Sequence, residues 1–127
     1  MQPYLPESAS ADQRFAEPAY GFVEHALQYT AQQLHGDIPP DDPAARHIDG
    51  ADLCMGLREC AWANWGLLAG AVLRTWGVRS TLDIGRIVFE LVDRGRLRKR
   101  DEDTLDDFDL VFDFSTLETE YRIQLNG

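Results

Sequence analysis

The chain has 127 residues, a hydrophobic content of 44% and a formal net charge of −10. This length fits one domain with enough apolar content to form a core, and a negative field disfavours nucleic acid and anionic membranes as partners. The charges are unevenly distributed: residues 1–50 hold eight acids and two bases, residues 51–100 five acids and nine bases, and residues 101–127 nine acids and one base.

The N-terminal region predicts a flexible arm followed by a first helix. Residues 1–16 contain prolines and serines without apolar periodicity, which is typical of a flexible segment. Pro18 suits a first helical turn, and apolar residues then recur every three or four positions up to about His35. Residues 36–43 predict a connector, because their three prolines disfavour both helix and strand. We therefore expect a single helical domain over residues 17–127.

The second predicted helix, at about residues 50–76, is apolar on most sides and so is expected to be the buried centre of the fold. Asp49 stands three residues before Asp52, a spacing that favours a helix start. One side of the helix carries very small residues, which indicates close approach of a neighbouring helix. That neighbour belongs either to the same chain or to a second copy, and Gly66 and Gly70 are the candidates for self-association.

Two further helices are predicted at about residues 81–94 and 104–114, where Ser80 and Thr104 stand in capping positions. Apolar and polar residues alternate in the tail at 121–125 and around Leu97, which permits short extended or β segments. The expected fold is therefore mainly α, a compact bundle of about four helices around a buried central one. The apolar face assigned to the fourth helix comprises Leu105, Phe108, Val111 and Phe112.

No convergent catalytic or ligand-binding set is apparent. The three histidines, His25, His35 and His47, lie in separate segments, and no CxxC, HExxH, phosphate loop or dinucleotide fingerprint occurs. Cys54 and Cys60 would project in different directions from one helix, too far apart for a disulfide. We expect reduced core cysteines, no metal and no cofactor.

A charged pair in the apolar second helix, Arg58 and Glu59, is the first candidate interaction site. Arg58 precedes Trp62 by four residues, so its guanidinium is expected to stack on the indole. The pair is interpreted either as a partly exposed stripe with local ion pairs or as a polar anchor in a binding groove.

A basic segment between residues 94 and 100 is the second candidate. It holds five bases in seven residues, namely Arg94, Arg96, Arg98, Lys99 and Arg100. Seven acids follow by Asp113. A basic cluster after a helix is typical of the wing of a winged helix-turn-helix domain, which contacts phosphates. The other interpretation is a solvated segment neutralised by the acids that follow it.

Several short motifs carry a resemblance to a known family. They include Tyr20-Gly-Phe-Val23, Leu57-Arg-Glu59, Trp76-Gly-Val-Arg-Ser-Thr81, Asp83-Ile-Gly85 and Ile87-Val-Phe89. Over roughly residues 14–114 the chain resembles a family of small conserved hypothetical proteins of planctomycete and verrucomicrobial bacteria. The resemblance implies one small cytoplasmic bacterial domain and implies no activity, cofactor or catalytic residue.

The leading functional hypothesis is a non-catalytic protein-interaction or regulatory module, with a homo-oligomer as one form it could take. The alternative is a winged-helix-like nucleic-acid binder that uses the basic segment. A further alternative is a small enzyme that uses Cys54 or Glu59, which would need an open pocket beside one of them. The absence of a basic, apolar leader and of an uncharged run near 20 residues predicts a soluble, cytoplasmic protein without a membrane partner.

Overall fold

The computed structural model describes residues 15–36 and 47–126 of the chain. The described part contains five α-helices, α1 (Glu17–His35), α2 (Gly50–Trp65), α3 (Ala69–Thr75), α4 (Thr81–Asp93) and α5 (Thr116–Asn126), together with 3-10 turns at Gly66–Leu68 and Leu105–Phe108. No strand occurs within these residues. The prediction of a mainly α bundle is therefore confirmed. Residues 1–14 of the predicted arm and 37–43 of the predicted connector lie outside the described residues.

The ordered domain includes the last two residues of the predicted arm. Phe15 is 4% exposed and packs edge-on against Tyr20, while the backbone N–H of Ala16 donates to the carbonyl of Trp76. These contacts tie the start of α1 to the end of α3.

The packing of α1 on α2 explains the small residues of the central helix. A Cβ atom on Gly56 would overlap Oγ1 of Thr30, so a larger residue fits only if Thr30 shifts. Thr30 is itself buried, and its hydroxyl donates to the carbonyl of Ala26. Much of the core lies between these two helices and α4, and includes Ala26, Leu57, Ile84 and Leu91.

The prediction of one continuous helix over residues 50–76 is wrong, because α2 ends at Trp65 and the chain turns at Gly66. Gly66 has a φ of 54°, which glycine adopts without the Cβ clash that other residues suffer. A Cβ at Gly66 would lie 3.2 Å from the hydroxyl of Tyr121, and one at Gly70 would lie 2.8 Å from Glu118. The two glycines therefore admit α5 of the same chain. Self-association through them stays a prediction.

The predicted fourth helix over residues 104–114 is also wrong: it is a single 3-10 turn that ends at Phe108. The capping box of Thr104 and Asp107 forms, but Asp109 is extended. Phe108 turns inward onto α4, where a Cβ on Gly85 would lie 2.6 Å from its ring. Its carbonyl accepts a hydrogen bond from the Thr81 hydroxyl. A long-range contact thus fixes the carbonyl that would otherwise serve the next helical turn.

The C-terminal tail is helical rather than extended, because residues 121–125 fall within α5. Leu117 of this helix is 1% exposed, and its carbonyl accepts a hydrogen bond from the indole N–H of Trp62 at 2.9 Å. The segment around Leu97 is irregular and forms no strand. Helix α5 consequently closes the open side of α2 and of the turn at Gly66.

Candidate interaction surfaces

The first candidate, around Arg58, is a structural clamp between α2 and α5. Its guanidinium lies 3.0 Å from Oε1 of Glu120 and sits over the rings of Trp62 and Phe112, at 4.9 and 5.2 Å from their centroids. The side chain of Arg58 is only 14% exposed. The expected stacking on Trp62 is present, and the same contacts leave little of Arg58 for a partner.

The other two members of this candidate differ in exposure. Trp62 is 8% exposed, with its indole N–H bonded to Leu117, so it belongs to the core. Glu59 is exposed and accepts a hydrogen bond of 2.7 Å from the hydroxyl of Tyr29. That bond raises the pKa of Tyr29, because it favours the protonated phenol. Glu59 is the most exposed of the three, and it lines an open surface pocket together with Arg58 and Trp62.

Two bases of the basic segment, Arg94 and Arg96, are engaged by carboxylates of the helices α4 and α1. Arg96 makes two hydrogen bonds, of 2.9 and 2.8 Å, to the carboxylate of Glu24 on α1. Arg94 lies over the ring of Tyr20 at 4.4 Å and 3.5 Å from a carboxylate oxygen of Glu90. Burial, aided by a hydrogen bond to Glu90, raises the pKa of Tyr20. These contacts fasten the start of the segment to α1 and α4.

The remaining three bases, Arg98, Lys99 and Arg100, are exposed and line a recess in the surface. Its volume is about 430 Å³, and its apolar wall includes Leu27, Ile48, Leu53, Val88, Phe89, Leu97 and Phe108. Residues 95–104 form no β-hairpin, which is the element that a DNA-binding wing requires. The nucleic-acid hypothesis therefore stays a prediction without a wing to support it.

A third surface, missed by the sequence patterns, is the acidic loop, defined here as residues 106–113. Leu110 at its tip is 87% exposed and has a φ of 52°, the only positive φ at a non-glycine residue in the described part of the chain. The sequence held one signal for it: Leu110 falls off the apolar face assigned to the predicted fourth helix.

Thr81 holds the acidic loop on both sides of Leu110. Its side chain, at 1% exposure, donates to the carbonyl of Phe108 at 2.6 Å and accepts from the backbone N–H of Val111 at 3.2 Å. Phe112 and Phe114 stack with ring centroids 5.4 Å apart. The tip is thus exposed while its two flanks are anchored.

The acidic loop carries four exposed carboxylates, at Asp106, Asp107, Asp109 and Asp113. None of them forms an ion pair with a base among residues 15–36 and 47–126 whose side chains are described. The backbone N–H of Ser115 donates to Asp113, which lowers the pKa of that carboxyl. Leu110 therefore lies in a loop whose four carboxylates form no ion pair with a described base.

The features of an enzyme or a metal centre are weakly represented. Burial raises the pKa of Cys54 to about 12 and also raises that of Cys60, so both thiols are protonated near neutral pH and poor nucleophiles. Within the described residues no group of three His, Cys, Asp or Glu side chains is arranged to hold a metal ion. His47 Nε2 lies 3.2 Å from Oδ1 of Asp103, and both residues line the recess.

None of the described helices is both long and apolar enough to cross a bilayer. No protein family, curated protein or solved structure matches this chain.

Proposed function

We propose that this chain is a non-catalytic protein-interaction module that binds a partner protein through the acidic loop. The observation that carries the proposal is Leu110, a leucine in the left-handed conformation that is 87% exposed. This conformation costs a non-glycine residue about 1–2 kcal/mol, and its side chain gains nothing from burial within the domain. Backbone strain of this kind concentrates at binding and switch sites.

The anchoring of the loop supports binding with little loss of conformational entropy. The two hydrogen bonds of Thr81 flank Leu110 closely on either side. A loop already held in one conformation avoids part of the ordering cost that a flexible loop incurs on association. The tip of the acidic loop is thus suited to insertion into a cavity of another protein.

The charge of the loop specifies the chemistry of that partner. An exposed leucine in a loop whose four exposed aspartates form no ion pair with a described base complements an apolar pocket with a basic rim. Rim charges of this kind mainly accelerate association and select among partners, while the buried apolar side chain supplies most of the affinity.

The test is quantitative affinity capture with the intact chain, the variant Leu110→Asn and the matched control Leu68→Asn. Asparagine tolerates the left-handed conformation, so the variant removes the apolar contact without added strain. Leu68 is also an exposed leucine, at 65%, but lies in the first 3-10 turn. Burial of a leucine at the interface is worth about 1.5–3 kcal/mol. The affinity for a purified partner should therefore fall about 10- to 150-fold in Leu110→Asn and stay unchanged in Leu68→Asn.

A second measurement tests the charge of the interface. Replacing Asp109 and Asp113 by asparagine should slow association with the purified partner and flatten its salt dependence, because both exposed charges contribute to steering. Equal affinities for the intact chain and Leu110→Asn would show that the acidic loop is not the contact surface. Capture of nuclease-sensitive nucleic acid through Arg98 to Arg100 would instead support the nucleic-acid alternative.

A further inference from the structure

The recess beside the basic segment adjoins the acidic loop, with which it shares Asp107 and Phe108, and its lining combines an apolar wall with basic and acidic side chains. We propose that it binds a small amphipathic carboxylate, with the hydrocarbon body against Leu27, Val88 and Phe89 and the carboxylate at Arg98 and Lys99. Its volume of about 430 Å³ lies within the usual range of roughly 300–1,000 Å³ for ligand pockets.

Three acids also line the recess, and each accepts a hydrogen bond from a backbone N–H group rather than pairing with Arg98 or Lys99. Asp49 caps α2 by accepting from the backbone N–H of Asp52 at 2.8 Å. Asp107 accepts from the backbone N–H of Thr104 at 3.0 Å as part of the capping box. Asp103 accepts from the backbone N–H of Arg100 and lies near its guanidinium.

Two cations remain without a carboxylate. Among the described side chains Arg98 forms no ion pair, and Lys99 donates only to the carbonyl of Arg100 while lying 5.8 Å from the ring centroid of Phe89. Both line the recess and both are exposed. Because neither cation forms an ion pair with a described carboxylate, both can bind an anionic head group whose apolar body lies against the wall of the recess.

The anchoring of the basic segment makes the rim a fixed feature. The paired hydrogen bonds from Arg96 to Glu24 hold the segment against α1, and the backbone N–H groups of Arg96 and Leu97 donate to the carbonyl of Leu91 at the end of α4. Arg98 and Lys99 follow directly. Their positions relative to the apolar wall are therefore set by the fold.

The experiment compares three probes of equal chain length by NMR titration of the isotope-labelled protein: octanoate, octanol and octylammonium. Octanoate should bind with shifts confined to amides of the recess, octanol should bind more weakly, and octylammonium should be excluded. Equal binding of all three would overturn the proposal, as would octanoate shifts located elsewhere.

Variants distinguish the contribution of the basic side chains to octanoate binding from that of the apolar cavity. Arg98→Ala combined with Lys99→Ala should weaken octanoate by roughly 2- to 30-fold, the range for loss of two exposed or partly exposed ion pairs. The control Arg79→Ala, which removes an exposed base outside the recess, should leave binding unchanged. Ala31→Trp should block the cavity for octanoate and octanol alike. Unaltered octanoate affinity in the double variant would refute the assigned carboxylate position, whatever Leu110→Asn does to partner capture.

Discussion

Removal of the Thr81 hydroxyl tests whether the acidic loop is held as described. Thr81→Val keeps the side-chain shape but eliminates the hydrogen bonds to Phe108 and Val111. The carbonyl of Phe108 faces the buried Thr81, so the loss of its hydrogen-bond donor should cost about 1–3 kcal/mol. The loss of the acceptor for the backbone N–H of the half-buried Val111 should add about 0.5–1.5 kcal/mol. We expect a decrease of about 2–4 kcal/mol in the free energy of unfolding.

The assay is urea unfolding followed by circular dichroism, together with hydrogen exchange at the Val111 amide. At 127 residues the expected loss corresponds to a decrease of roughly 6–20 °C in Tm, and the Val111 amide should exchange faster. The matched control is Thr75→Val, whose exposed hydroxyl donates to Ala71 within its own helix and should change stability by less than about 0.5 kcal/mol. Equal losses in the two variants would refute the anchoring role of Thr81.

Three other predictions concern backbone strain, close packing and thiol ionisation. Leu110→Gly should raise the free energy of unfolding by about 0.5–1 kcal/mol, because glycine relieves the strain at φ 52°. The greater freedom of glycine in the unfolded chain offsets only part of this gain. A lower urea midpoint than that of the intact chain would contradict the prediction. Gly56→Ala should lower the free energy of unfolding by about 1–3 kcal/mol through overpacking against Thr30. Adding Thr30→Ala to this variant should recover part of the lost stability. If the losses of the two single variants simply add in the double variant, the two residues are not in contact. The pKa of Cys54 rises on folding from 9.0 to about 12. The buried protonated thiol therefore contributes fully to the free energy of unfolding below pH 9, and this contribution is lost between pH 9 and pH 12. Stability should therefore fall by about 1 kcal/mol more between pH 9 and pH 10 in the intact chain than in Cys54→Ala, and identical profiles would disprove the shift.

The helix starts could be predicted from sequence because their signals are local. Asp49 accepts from the backbone N–H of Asp52, Ser80 from that of Asp83, and the capping box at Thr104 forms. Each of these contacts joins residues three positions apart. A short segment of sequence therefore contains both members of the interaction.

The errors arose where distant residues decide the local conformation. Apolar periodicity continues through Gly66, whereas the chain turns there with a positive φ and packs closely against the ring of Tyr121 from α5. The predicted fourth helix ends at Phe108, whose carbonyl accepts a hydrogen bond from Thr81, 27 residues earlier in the chain. Five alternating residues at 121–125 are too few to distinguish a strand from one side of a helix.

The candidate surfaces show the same division. The stacking of Arg58 on Trp62 is a contact within one helix and was predictable, but the closure of this site by Glu120 joins residues 62 positions apart. The basic segment was recognisable from its composition alone. Which of its bases form ion pairs and which remain free depends on residues of α1 and α4, which are distant in sequence. Leu110 stands out only when its exposure and backbone conformation are known.

The hydrogen bond between Trp62 and Leu117 also has a consequence for how the domain is made. The two residues are 55 positions apart, so at about 5–20 residues per second the ribosome takes roughly 3–11 s to go from one to the other. During that interval the indole and the turn at Gly66 lack their cover, even if α1 has already packed on α2. Nascent chains of this domain should therefore expose a tryptophan-bearing surface to chaperones until α5 emerges.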